Sequence, residues 1–137
     1  MTGCGRWATR ISGMRVLLVE DDPAQMDCYC RILESLGCVV FAAVMAETGI
    51  ELARTVQVDA ILTDNVLPGM TGLQSIAKYS ESTNASVLIM TSHFNGDIEK
   101  DALLLGAKGV FVKPLVWEAV TTALAAYLGK SEDGRPR

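Results

Sequence analysis

The chain has 137 residues, half of them hydrophobic, with 12 basic and 16 acidic side chains and a formal net charge of −4. That length suits one domain around one core, and the acidic balance lacks the basic footprint that direct nucleic-acid binding needs. No apolar run approaches the roughly 20 residues that span a bilayer, and residues 1–13 hold no stretch suited to a signal peptide, so a cytoplasmic domain without membrane contact is expected.

Residues 1–13 carry Gly3, Gly5 and Gly13 without periodicity and read as a flexible leader, with Trp7 as its one candidate anchor. Arg15 to Val19 is a continuous β-branched and leucine run, the pattern of a strand covered on both faces, and Glu20-Asp21-Asp22-Pro23 ends it. Asp22 before Pro23 makes a good helix start. The helix that follows places Met26, Tyr29, Cys30, Leu33 and Leu36 on one face, and Gly37 stops it. Cys38 to Ala43 is a second strand, and Ala46 to Val56 a helix with Ile50 and Ala53 inward. Ala60 to Asp64 is a third strand, delivering one carboxylate to the turn Asn65-Val66-Leu67-Pro68-Gly69. Thr71 to Tyr79 reads as a helix with Leu73, Ile76 and Ala77 inward, and the polar residues 80–84 as a loop. Ser86 to Thr91 is a fourth strand, and Asn95 to Leu105 a helix with a charged and an apolar side, closed by Gly106. Gly109 to Val112 is a fifth strand ended by Lys113-Pro114, and Val116, Ala119, Val120, Ala123, Leu124 and Tyr127 form the stripe of a last helix. Residues 130–137 are polar and are expected to be disordered. The four cysteines, Cys4, Cys28, Cys30 and Cys38, have no CxxC spacing and there is one histidine, so neither a zinc site nor a disulfide framework is indicated.

Strands alternating with helices imply right-handed βαβ units. The expected fold is α/β, a doubly wound five-stranded parallel sheet with about five helices, a flavodoxin-like three-layer sandwich spanning residues 14–129. In such sheets ligands bind outside the carboxyl ends of the strands. Those ends carry Glu20, Asp21 and Asp22, then Asp64, then Thr91-Ser92, then Lys113-Pro114. Carboxylates converging on one edge need a cation to stay ionised together, and all-oxygen ligands favour Mg²⁺ or Mn²⁺ over zinc. Lys113 suits phosphate as a point charge, and Thr91 adds a hydroxyl. Together they describe a place where a phosphoryl group is received, with Asp64 as the nucleophile and Glu20 and Asp21 as a metal-holding pair.

Four separated motifs carry a family resemblance: Val16-Leu17-Leu18-Val19-Glu20-Asp21-Asp22, Leu62 to Gly72 around Asp64, Met90-Thr91-Ser92, and Gly106 through Lys113-Pro114. In this order and spacing the chain resembles a response-regulator receiver domain of two-component signalling, of the chemotaxis-regulator type, over residues 14–129. The resemblance implies that Asp64 takes a phosphoryl group from a histidine kinase or phosphotransfer protein, and that the domain assists this step without being a turnover enzyme. It implies that Asp21 binds the metal directly, Glu20 through water, and the Val66 carbonyl completes the shell. Thr91 and Lys113 would hold the phosphoryl oxygens, Thr91 would shift inward, and the face of the fourth helix, fifth strand and fifth helix would change its affinity for a downstream protein.

Receivers usually carry Tyr or Phe three residues before the lysine; here Val110 stands there and Phe111 follows one place later, on the opposite face of the strand. Val66 and His93 hold the two positions that commonly tune phosphoryl lifetime. Trp117 falls off the last helix's stripe and, with Ala125 and Ala126, marks a candidate homodimer or partner patch. A phosphorylation-independent interaction module on the same fold is the alternative that Val110 keeps open. A flavin binder or phosphatase is disfavoured, because three acids stand where a Gly-rich phosphate loop would follow the first strand. With no output domain after Gly129, a stand-alone receiver or one cut from a longer protein is expected.

Overall fold

Each apolar run becomes a strand of one parallel sheet in the computed structural model, which describes residues 11–128. The strands are β1 (Arg15–Val19), β2 (Val39–Ala43), β3 (Ala60–Asp64), β4 (Ser86–Thr91) and β5 (Gly109–Val112), in the spatial order β2-β1-β3-β4-β5. Five helices alternate with them: α1 (Pro23–Ser35), α2 (Ala46–Thr55), α3 (Gly72–Ser82), α4 (Gly96–Leu105) and α5 (Trp117–Leu128). The doubly wound sheet expected from the sequence is the architecture found.

Strand parity divides the core in two. Val16 and Leu18 of β1, Ala60 and Leu62 of β3, and Leu88 and Met90 of β4 pack with Tyr29 and Leu33 of α1 and Val120 and Leu124 of α5. Leu17, Val19, Ile61, Val87 and Ile89 face the other way, onto Ile50 and Ala53 of α2, Ile76 and Tyr79 of α3 and Ala102 of α4. All five residues of β3 are buried, as its continuous apolar run requires, whereas the edge strands β2 and β5 are half-exposed. Helix ends follow local chemistry. Asp22 caps α1 by accepting from the backbone N–H of Ala24 (2.9 Å), Thr71 and Gln74 form a capping box on α3, and Asn95 accepts from Ile98 N–H (2.8 Å) at the start of α4. Gly37 after α1 and Gly106 after α4 adopt positive φ, where a side chain would be strained.

Several expectations need correction. The flexible leader does not extend to residue 13. Ile11 is fully buried against the β1–α1 core, its carbonyl accepts from Met14 N–H, and Gly13 N–H donates to the Gly37 carbonyl. Residues 1–10, with Trp7 and Cys4, and residues 129–137 lie outside the described residues. Helix α3 runs through Ser82 rather than ending at Tyr79, and it buries Gly72, Ser75, Ile76 and Tyr79 while Ala77 is exposed. The apolar side of α4 enters the core at Ala102 and is otherwise largely exposed. Ala102 is its one buried residue, and Leu103, Leu104 and Leu105 are exposed. On α5 the buried positions include Val120, Thr121 and Leu124, while Val116 and Ala119 of the expected stripe are exposed. Trp117 instead turns inward and meets the Tyr29 ring edge-on, with centroids 5.5 Å apart. Of the expected patch, Ala125 is half-buried and only Ala126 is exposed.

Candidate functional site

The carboxyl ends of β1, β3 and β5 converge on one pocket, and parity explains why. Glu20, Asp64 and Lys113 each continue the alternation that sends Leu18, Leu62 and Phe111 toward α1 and α5. Their side chains therefore meet on one side of the sheet edge. Lys113 Nζ lies 2.8 Å from Glu20 Oε1 and 2.8 Å from Asp64 Oδ2, with Glu20 1% and Asp64 6% exposed. The second oxygen of each carboxylate is also engaged: Asp22 N–H donates to Glu20 Oε2 (3.1 Å) and Val66 N–H to Asp64 Oδ1 (3.1 Å). The pocket has a volume near 690 Å³ and is lined by Glu20, Asp21, Asp22, Gln25, Tyr29, Asp64, and beyond them by Val66, Ser92, Lys113 and Pro114.

The turn after Asp64 is held by its own first residue. Asn65 Oδ1 accepts from Leu73 N–H (3.0 Å) and its carbonyl accepts from Gly72 N–H (3.0 Å), tying the turn to the head of α3. Gly72 is required by that approach, because a Cβ there would stand 2.6 Å from the Asp64 carbonyl oxygen and 2.8 Å from Asn65 Cα. A methyl group cannot fit between them.

Burial raises the Glu20 pKa above the usual carboxylate value. The hydrogen bond from Lys113 and that from Asp22 pull it down without cancelling the burial, and Asp64 adds repulsion. Lys113 shows the converse balance. Burial alone lowers an ammonium pKa, but its hydrogen bonds to Asp64 and Glu20 outweigh this and the net direction is upward.

Glu20, Asp21 and Asp64 can each bring one oxygen within 4.8 Å of the others, the acidic cluster expected from the sequence. With oxygen donors and neither histidine nor thiolate in the set, this suits a hard divalent cation. Thr91 is fully buried at the end of β4, and its hydroxyl accepts from His93 N–H (3.1 Å). It lies beside the pocket, while its neighbour Ser92 lines it. His93 is exposed and Val66 is 57% exposed at the pocket rim. Val110 packs on the α2–α4 side of the sheet and Phe111 on the α1–α5 side, so the two do face opposite ways. Gln25 and Tyr29 are site residues the sequence did not flag. Gln25 Oε1 accepts from Lys113 Nζ (2.5 Å), and the ammonium lies 5.9 Å from the Tyr29 ring centroid. Their spacing of four on a helix that starts from the acidic edge was the available signal.

The chain is similar to known proteins. A family model described as the response regulator receiver domain matches residues 16–125. The chain is 35% identical to chemotaxis protein CheY of Treponema pallidum over 83% of this chain and 82% of that protein. It is 32% identical to protein PilH of Pseudomonas aeruginosa, over 83% of this chain and 97% of that protein. It is also 32% identical to transcriptional regulatory protein FixJ of Azorhizobium caulinodans over 88% of this chain, where it spans only 58% of the relative's length. Among solved structures, the receiver domain of sensor histidine kinase PA1611 from P. aeruginosa, with a magnesium ion in its active-site cleft, matches with a TM-score of 0.77 and 25% identity, covering 86% of this chain and 99% of that one. A two-component response regulator from Clostridium difficile shares the fold, with a TM-score of 0.79 and 22% identity over 84% of this chain and 95% of that one.

Proposed function

Because the chain belongs to the response regulator receiver domain family, we propose that it is a Mg²⁺-dependent phosphoacceptor switch, phosphorylated on Asp64 by a histidine kinase or phosphotransfer protein. The observation that carries this reading is the meeting of Glu20, Asp21 and Asp64 with the Lys113 ammonium in one pocket. An Asp64 carboxylate oxygen forms the new P–O bond as the donor's P–N bond breaks and the imidazole leaves with the electron pair. Lys113 stands where it can neutralise charge on the transferred oxygens. Glu20, Asp21, Asp64 and the Val66 carbonyl would hold Mg²⁺, which supplies further neutralisation of the phosphoryl group when bound.

Thr91 is the second phosphoryl ligand in this reading, moving inward from its bond with His93 N–H. The output is a change in the face of α4, β5 and α5, supported by the exposure of Leu103, Leu104, Leu105, Val112 and Val116 there. The downstream partner is a protein rather than nucleic acid, consistent with the net charge of −4. Among the described residues no helix is long and apolar enough to cross a membrane, which accords with a cytoplasmic setting.

Incubation with acetyl phosphate and Mg²⁺ tests the assignment by intact-mass spectrometry. The wild type should gain one phosphoryl group, and Asp64→Asn or excess chelator should abolish the gain. A gain that survives in Asp64→Asn would overturn it.

A further inference from the structure

Every N–H of the Lys113 ammonium is engaged. It has three donors, and they go to Glu20 Oε1 (2.8 Å), Asp64 Oδ2 (2.8 Å) and Gln25 Oε1 (2.5 Å). The first two acceptors are carboxylates of the acidic cluster; the third is neutral and stands outside it. The Gln25 amide is itself fixed from both ends, since Oε1 also accepts from the Tyr29 hydroxyl (3.2 Å) and Nε2 donates to Asp22 Oδ2 (3.3 Å). The Tyr29 ring lies 5.9 Å from the ammonium and meets Trp117 edge-on, 5.5 Å between centroids at 65°. One contiguous set of contacts thus joins the pocket, α1 and the first residue of α5.

We propose that Gln25 and Tyr29 are positioning residues for Lys113, and that the Tyr29 ring transmits occupancy of the pocket to Trp117 at the head of α5. The proposal rests on the phosphoacceptor reading. A phosphoryl group arriving on Asp64 replaces a carboxylate charge with phosphoryl oxygens, and Lys113 has no spare N–H to meet them. One existing bond must be exchanged, and those to the acidic cluster are the ones the new group alters. The bond to neutral Gln25 stays, so the ammonium turns about Gln25 and changes its position over the Tyr29 face. Attraction between a cation and a ring depends on that position, and the ring on which Lys113 acts is the one against which Trp117 leans. This route runs on the α1–α5 side of the sheet, opposite Val110. It reaches the output face without an aromatic residue at position 110.

The test uses beryllofluoride with Mg²⁺ as a phosphoryl mimic on the full chain carrying Trp7→Phe, so that Trp117 is the one tryptophan. Binding is measured by calorimetry and the response by Trp117 emission. The parent should bind and change its emission. Tyr29→Leu should still bind, about fivefold more weakly, and lose the emission change, whereas Tyr29→Phe, which keeps the ring, should retain it. Gln25→Leu, which does not touch Trp117 and keeps α1 intact if Tyr29→Leu fails to fold, should weaken binding by about fivefold and shrink the emission change. Binding with an undiminished Trp117 response in Tyr29→Leu, or full affinity and response in Gln25→Leu, overturns the proposal and leaves the phosphoacceptor reading standing. No calorimetric binding by the parent overturns both.

Discussion

Lys113 is the cation that lets two buried carboxylates share one pocket, and its removal would leave both with a backbone N–H but no cationic partner. Breaking a buried pair from one side typically destabilises by about 3–5 kcal/mol; with two carboxylates served by one ammonium 11% exposed, Lys113→Ala should lower stability without Mg²⁺ by about 3 kcal/mol. Urea unfolding at pH 7 checks this, and added Mg²⁺ should recover part of the loss by supplying another cation to the same oxygens. The cysteines differ for a related reason. Cys38 is buried, and burial pushes its thiol up to about 11, whereas Cys28 is exposed. Because the thiolate is the reactive form, an alkylating agent at pH 8 should modify Cys28 in the native protein and reach Cys38 only through unfolding, as read by peptide mapping. The sign of the linked effect follows. A folded pKa above the ordinary 9.0 stabilises at lower pH, and that contribution fades as the pH climbs from 9 toward 11.

Helices α2 and α3 meet through a close contact that neither helix reveals alone. The Tyr79 hydroxyl is buried without a hydrogen-bond partner among the described residues, and it lies where a Cβ on Gly49 would collide with it and crowd Val19 Cγ2 at 3.0 Å. Tyr79→Phe removes an unsatisfied polar group and should stabilise by about 1 kcal/mol. Gly49→Ala gains about 1 kcal/mol of helix propensity in isolation, yet should destabilise the wild type through the collision. Combining the two should recover much of that loss, so a double-mutant cycle should show favourable coupling of about 1 kcal/mol. Additive melting shifts would contradict the contact. The contrast with β3 shows what the sequence could reveal. A strand buried on both faces reads as an unbroken apolar run, so Asp64 at its end was legible, as were Glu20, Asp21 and Lys113 on neighbouring ends. Helix faces were harder because burial there depends on partners from elsewhere. Thr121 can be buried since its hydroxyl donates to the Trp117 carbonyl (2.8 Å), and Trp117 turns inward because Tyr29 of α1 receives it. Gln25 escaped notice for the same reason, since only the fold brings it to Lys113, 88 positions away.

At the scale of the molecule, the charged pocket and the exposed leucines of α4 stand on different elements. The pocket gathers Glu20, Asp21, Asp64 and Lys113 over β1, β3 and β5, while Leu103, Leu104 and Leu105 project from α4, with Leu104 76% exposed. Leu104→Lys should therefore change stability by less than about 0.5 kcal/mol and leave phosphoryl uptake on Asp64 unchanged, while weakening any association that depends on phosphorylation. Size-exclusion chromatography with and without beryllofluoride would read this, and a large drop in melting temperature would instead make α4 part of the core. The burial of Ile11 beside Gly37 and Cys38 has a consequence for engineering. It brings the start of the described chain to the end of the sheet opposite the pocket, and α5, 12 residues and so about 18 Å long, runs back from Trp117 toward that same end. A fluorescent protein fused before residue 11 or after residue 128 would hang from the floor of the domain and leave the mouth of the pocket clear for a phosphodonor. The fold can thus be spliced between two unrelated proteins as a cassette, with both seams remote from Asp64.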